Sequence, residues 1–325
     1  MPHAFQIIVP AGKKRERLDL FLVNHVENAT RTKVQRAINR GMVLVDGQAV
    51  RASHKVSPGE IIDITLPTPA PGNVSPENIP LAIVYEDDHL LVVNKPAGMV
   101  SHPAHGNYSG TLVNALLYHC AGLSAINGPA RAGVVHRLDK DTSGLMVVAK
   151  DDRSHVHLAR QFERRTIERE YWAIVWGVFK SRTGSIDAQL GRSKSDRKKI
   201  AVVTDGKVAL TEYEVLEQFP YLALLRLHLR TGRTHQIRVH LAHINHPVFG
   251  DPTYNGRRIM WGPRTQGQKA EVHAMLALIS RQALHARTIG FVHPVTHVFL
   301  KFESELPEDM RQMLTRLQAV PKDTG

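Results

Sequence analysis

The chain has 325 residues, 42% of them hydrophobic, which suits one large domain plus a small one and excludes wholesale disorder. Lys and Arg total 42 against 30 Asp and Glu, a formal charge of +12 that favours a polyanionic partner. A single cysteine, Cys120, excludes an intrachain disulfide or a cysteine-built zinc site, and with no apolar run near the ~20 residues of a membrane span it points to the cytoplasm.

Residues 1–66 read as a small module with ten Lys/Arg and six Asp/Glu. Ala4–Pro10 has the pattern of a short strand. Leu18, Phe21, Leu22 and Val26 fall on one face of a helix. Thr30 is placed to N-cap a second helix, Arg31–Arg40, which Gly41 ends. That helix carries Arg31, Lys33, Arg36 and Arg40, a compact set of cations for phosphates; a solvated helix face would look the same. Met42–Val50 reads as a hairpin around Asp46-Gly47, and Ile61–Leu66 as another strand. Residues 67–80 contain five prolines and read as a semi-rigid linker.

From Leu81 to Gly325 strands and helices alternate. Ala82–Tyr85, Leu90–Val93, Leu145–Ala149, Tyr171–Val175, Val208–Leu216 and Leu222–Leu229 are strand-like. Thr111–His119, Arg153–Glu163 and Arg233–His243 are helix-like. Arg257–Lys269 reads as a polar surface loop, and the last fifteen residues as a helix with a frayed tail. These patterns predict an α+β chain.

The stretch with most chemical content is His136-Arg137-Leu138-Asp139-Lys140-Asp141-Thr142-Ser143-Gly144, followed at once by an apolar strand. Its second half is turn-prone, and a carboxylate just ahead of a buried strand is held rigidly while facing solvent. Arg137 and Lys140 favour the ionised form of Asp139, the form that acts as nucleophile or base. An ordinary charged turn has the same composition. His235, His240, His243 and His246 invite a metal, but no HExxH spacing is present and Arg233 and Arg238 stand beside them, so no metal is expected. Ser195-Asp196-Arg197-Lys198 matches the SxxK of serine acyl enzymes without a downstream KTG, and reads as part of a basic loop. There is no glycine-rich phosphate loop, which disfavours an NTPase or a dinucleotide enzyme.

Two resemblances add to this reading. Arg17–Leu22 and Thr30–Val50 resemble the alpha-L RNA-binding module of a small-subunit ribosomal protein, over roughly residues 15–65. His136–Gly144 resembles the HRLDxxTSG signature of the RluA/RluD family of pseudouridine synthases. Asn94–Gly98 with His102-Pro103, Arg169–Ala173, Thr231–His240, Gly250–Pro252, and Gln282–Ala286 with His293-Pro294 are similar to the family's other motifs, in the expected order. Ser101 departs from the aliphatic residue more usual at its place.

The resemblance implies a pseudouridine synthase fold: a mixed, mostly antiparallel bent sheet with flanking helices and a cleft across the sheet. It implies isomerisation of uridines, in a stem-loop of bacterial large-subunit rRNA, by a monomer without a cofactor. Asp139 would be the catalytic aspartate, Tyr171 an aromatic packed on the target base and able to act as a base, and Arg233 the arginine paired with Asp139. Arg137 would enter the RNA stack as the uridine leaves. Lys95, His102, His136, His235 and Arg238 of the same motifs become candidates for RNA contact. Attack by Asp139 at C1′, attack at C6 and removal of a sugar proton all fit its residue type. The rival reading is a catalytically silent RNA-binding or ribosome-assembly factor.

Overall fold

The computed structural model describes residues 3–13, 15–26, 31–66, 74–104, 107–193, 196, 199–259, 262 and 265–319. Contacts divide the chain into two compact units, 1–72 and 73–325.

In the smaller unit, strand β1 (His3–Ile8) pairs with β6 (Ile61–Leu66), and β6 with β3 (Val43–Val45), all antiparallel. β3 turns into β4 (Gln48–Ala49) through Asp46 and Gly47, both at positive φ as the predicted hairpin turn requires. A two-stranded ribbon, β2 (Glu16–Arg17) with β5 (Lys55–Val56), completes the strands. Helices α1 (Leu18–His25) and α2 (Arg31–Asn39) pack on the sheet through Leu18, Phe21, Leu22, Val34, Ala37 and Ile38. α2 stops where Gly41 takes φ 70°, as expected. Thr30 and the side chains of Arg31, Lys33 and Arg36 lie outside the described residues; Arg40 is exposed.

Val74–Pro80 has no regular structure, but it is not a free linker. Val74 and Ile79 pack on the core of the larger unit, Ser75 O accepts from the Asn114 side chain, and the Glu77 amide donates to Asn114 O. Prolines remove amide donors, yet the remaining groups still bind a neighbouring helix. Residues 67–73 lie outside the described set.

The larger unit is built on one sheet, in the order β11 (Thr183–Asp187), β14 (Leu210–Gln218), β15 (Leu222–Leu229), β10 (Glu168–Trp176), β16 (Leu284–Val292), β9 (Ser143–Ala149), β8 (Leu90–Lys95), β7 (Ala82–Glu86). Every pairing is antiparallel except β9 with β16. That parallel contact is short: His285 opposes Ser143 and Ala286 opposes Gly144, after which β17 (Phe299–Glu303) takes over the same edge of β16. The sheet therefore splits along β16 into two wings. A small ribbon, β12 (Leu190–Arg192) with β13 (Ile200–Val202), stands apart.

Strands β8 and β9 are buried on both faces, which explains their unbroken apolar runs. Leu91, Val93, Met146 and Val148 face one core with α3 (Leu112–His119), α6 (Gln266–Leu278) and α7 (Glu308–Ala319). Leu90, Val92, Leu145 and Val147 face another with Leu158 and Phe162 of α4 (Asp152–Arg164). Thr111 caps α3 in a capping box and Asp151 caps α4.

Two expectations about element bounds need correction. α6 falls partly inside the expected loop 257–269: Thr265 caps it, and Val272, Met275 and Leu276 bury one face, outweighing Gly267. The expected helix 233–243 begins only at Gln236, as α5 (Gln236–His243), because His235 is left-handed at φ 55°. β11, β16 and β17 had no clear signal of their own. No helix among the described residues is long and apolar enough to cross a membrane. Residues 320–325, the expected tail, lie outside the described set.

Candidate active site

The loop from His136 to Thr142 runs into β9 at the split of the sheet, and it is pinned from several sides. The Thr142 amide donates to Asp139 O, closing a turn. Ser101 Oγ donates to Leu138 O (3.0 Å) and accepts from the Leu138 amide (3.3 Å), so the serine that departs from the family pattern braces the residue before Asp139. Arg281 Nη1 donates to Asp141 O, and Gln282 Nε2 to Thr142 Oγ1. Such anchoring holds a reactive group before substrate arrives.

Lys95 belongs to the same scaffold. It is fully buried, and its ammonium donates to the carbonyls of Pro96, Met99 and Lys140. Burial pulls its pKa down to about 7, with Asp141 and Asp139 opposing. The candidate RNA contact is thus a strut beneath the loop, with its ammonium turned to three carbonyls.

Asp139 lines the mouth of a cavity of about 480 Å³ whose wall includes Arg137, Tyr171, Arg233, His235 and Arg238. Its Oδ2 accepts from Arg238 Nη1 at 3.0 Å, and His235 Nε2 stands 3.8 Å away. Its Oδ1 has no hydrogen bond to a described residue, and the side chain is 16% exposed. One oxygen is held and the other is open to the cavity.

The arginine that pairs with Asp139 is therefore Arg238, not Arg233. Arg238 is buried; its Nε and Nη2 form a fork on Asp251, at 2.7 and 3.0 Å. Burial works against its charge, but the bonds to Asp251 and then Asp139 more than offset this and raise its pKa. Asp251 is wholly buried and also accepts from the amides of Thr253 and Tyr254. The late start of α5 decides the exchange. Helical geometry from Gln236 points Arg238 inward, while the Arg233 amide donates to Gln236 Oε1 and its Nε to Val208 O. Arg233 stays exposed on the cavity rim. Arg238, a candidate for RNA contact, is engaged by two carboxylates. Asp251 and Tyr254 were missed as site residues; the Gly250-Asp251-Pro252 string was the available signal.

Tyr171 sits just after a bulge in β10, is buried to 7% and lines the cavity. Burial raises its pKa. Arg169 lies over the Phe162 ring, 5.5 Å from its centroid, and both line the cavity. Arg137 and Arg165 are exposed there without an ion pair to a described residue, so the rim is strongly positive.

The histidines are mostly structural. His136 Nε2 accepts from the Val147 amide and its ring stacks on Phe162; burial, then Arg169, lowers its pKa to about 3. His102 is buried, and burial followed by Arg131 and Arg137 lowers it to about 4. Neither offers a cation at neutral pH. His235 bonds Tyr254 Oη through Nδ1, and burial lowers its pKa despite Asp139. His240 is engaged by Thr211 Oγ1 and Ala188 O, and His246 by Trp176 O.

A model of the family described as RNA pseudouridylate synthase matches residues 89–243, and an S4 domain model matches 16–62. A Bacillus subtilis protein named uncharacterized RNA pseudouridine synthase YlyB is 45% identical, over 96% of this chain and 98% of its own. The chain belongs to the RNA pseudouridine synthase family. Another such synthase, from Zymomonas mobilis and named ribosomal large subunit pseudouridine synthase D, is 46% identical over 93% of each chain. A solved structure of human RNA pseudouridylate synthase domain containing 4 aligns with a TM-score of 0.56 and 28% identity, over 73% of this chain and 93% of that one. The synthase fold, with an S4 domain at 16–62 where the RNA-binding module was expected, is thus the architecture of this chain.

Proposed function

We propose that this synthase converts uridines to pseudouridine in a stem-loop of bacterial large-subunit rRNA, in the cytoplasm, with the free oxygen of Asp139 as the reacting group. One observation carries the assignment: a carboxylate at the mouth of a positive cavity, with Oδ2 held by a buried arginine and Oδ1 open. The names of its bacterial relatives supply the substrate class.

The reaction breaks N1–C1′, turns the uracil and rejoins it through C5; the C5 proton leaves and N1 gains one. No group is oxidised, lost or gained overall. The target nucleotide must first leave the stack, which costs a few kcal/mol and least in an unpaired loop. Arg137, exposed beside Asp139, is placed to fill the gap with its guanidinium plane. Tyr171 offers the extruded base an aromatic face, an interaction of about 1–3 kcal/mol. Its raised pKa keeps the phenol protonated, so packing is its role rather than service as a phenolate base. Attack at C1′, attack at C6 and removal of a sugar proton all draw on the same Asp139 oxygen.

The test uses Asp139→Ala and Asp139→Asn in a strain lacking its own copy. Carbodiimide modification and primer extension on rRNA should show no pseudouridine at the target sites, while purified variants bind the RNA within about threefold of the parent. Full pseudouridine content in the Asp139→Ala strain would return the chain to the silent RNA-binding reading.

A further inference from the structure

Helix α4 carries a second basic feature outside the reaction site. Arg153, His157, Arg160 and Arg164 recur at spacings of four, three and four, which places them on one face. The buried residues Ser154, His155, Leu158 and Gln161 take another face. Arg153, Arg160 and Arg164 are exposed, and none has an ion pair with a described residue. The carboxylates within the helix are Asp152 and Glu163.

An ordinary solvated helix face accounts poorly for this arrangement. Arg160 and Arg164 are like charges at i and i+4, a destabilising pair. Arg153 lies in the first turn, where the helix dipole disfavours a cation. Both arrangements are relieved by an anion laid along the face.

Two cavities lie along the helix. One, of about 450 Å³, is lined by Asp152, Arg153, Val156, His157, Arg160 and His297. The rings of His157 and His297 lie 5.9 Å apart, and Asp152 accepts the Ser124 hydroxyl at 2.7 Å. Phe162 and Arg165 line the other, the reaction cavity itself. From residue 153 to residue 164 the helix advances about 16 Å at ~1.5 Å per residue, the length of several phosphates.

We propose that this face of α4 is a phosphate track: an RNA strand flanking the target loop leaves the reaction cavity along the helix, and Arg164, Arg160 and Arg153 each meet a phosphate. The inference rests on the reading of this chain as an RNA synthase and extends its substrate beyond the reacting loop. Guanidinium groups suit phosphate, and contacts to phosphate fix a strand's position independently of its sequence.

The experiment compares the full-length parent with the triple variant Arg153→Gln/Arg160→Gln/Arg164→Gln. Two transcripts are used: the target stem-loop with its flanking rRNA strands, and the same stem-loop trimmed to its closing helix. On the long transcript the triple variant should raise KM about tenfold with kcat changed less than twofold. Its slope of log KM against log salt should flatten by up to about 2, at ~0.7 per lost phosphate contact. On the trimmed transcript the two proteins should be alike, and the matching triple lysine variant should recover most of the loss. Equal KM and equal slope on the long transcript overturn the track, as does an equal loss on both transcripts. Should the triple variant melt early, Arg160→Gln alone is read in the same way. If the parent converts neither transcript, the isomerase reading itself has failed, which is visible before any variant is compared.

Discussion

Arg238 divides its guanidinium between two carboxylates with different tasks. Asp251, wholly buried, takes the fork from Nε and Nη2 and fixes the plane of the group. Asp139 takes the remaining Nη1 and keeps its other oxygen for substrate. Arg238→Met would leave Asp251 buried with its fork removed, and breaking such a pair costs about 3–5 kcal/mol. Turnover should fall at least about 100-fold, the scale seen when one positioned donor is lost. Urea unfolding and single-turnover assays check both effects, and normal turnover would remove Arg238 from the site. Arg233→Gln should change stability by less than ~0.5 kcal/mol, since it loses one bond to Val208 O at the surface.

The element that sets the site is the short parallel contact between β9 and β16. Gly144 takes φ 120° there, and a Cβ on it would stand 2.3 Å from Ala286 O and 2.5 Å from Ala286 N. Both atoms are backbone within a strand, so neither yields without moving β16. Gly144→Ala should destabilise the protein by about 3 kcal/mol or more, combining overpacking with an unfavourable φ. It should also lower kcat, because the pinned loop ahead of β9 shifts with the strand. Gly267→Ala is the control: its Cβ would meet nothing closer than 4.0 Å, and removing a glycine from α6 should be neutral or stabilise it by up to about 1 kcal/mol. Thermal unfolding of the pair tests this, and equal melting temperatures would contradict it.

At the scale of the molecule, several histidines are buried neutral, and stability should depend on pH accordingly. Burial is the first cause lowering His102 to about 4, His136 to about 3 and His285 to about 4. Their folded values lie below the unfolded value of about 6.5, so the unfolded chain binds more protons as pH falls between the two. Stability is therefore fully present above about pH 6.5 and declines toward pH 4, by at most ~1.4 kcal/mol per pH unit for each histidine. Carboxylates with lowered values, such as Asp87 and Asp151, lose their contribution only below about pH 4, so the window from 6.5 to 4.5 isolates the histidines. Urea midpoints across that window should slope downward with falling pH, and His285→Gln should reduce the slope. A flat profile would contradict the assignment.

Much of this was legible along the chain because it rests on local chemistry. The Asp46-Gly47 hairpin, the helices near 111–119 and 153–163, and the apolar runs of β8 and β9 follow from turn geometry and side-chain period, which act over a few residues. The signature around Asp139 is contiguous for the same reason. The family resemblance points to Arg233 as the partner of that carboxylate, and the structure brings Arg238, five positions on in the same motif, to it instead. Lys95 and His102 posed the same difficulty: as residue types they suggest RNA contacts, and only long-range packing buried them. Direction and burial come from contacts between segments a hundred residues apart, such as Arg238 with Asp139, and those contacts exist only once the sheet has closed around the loop.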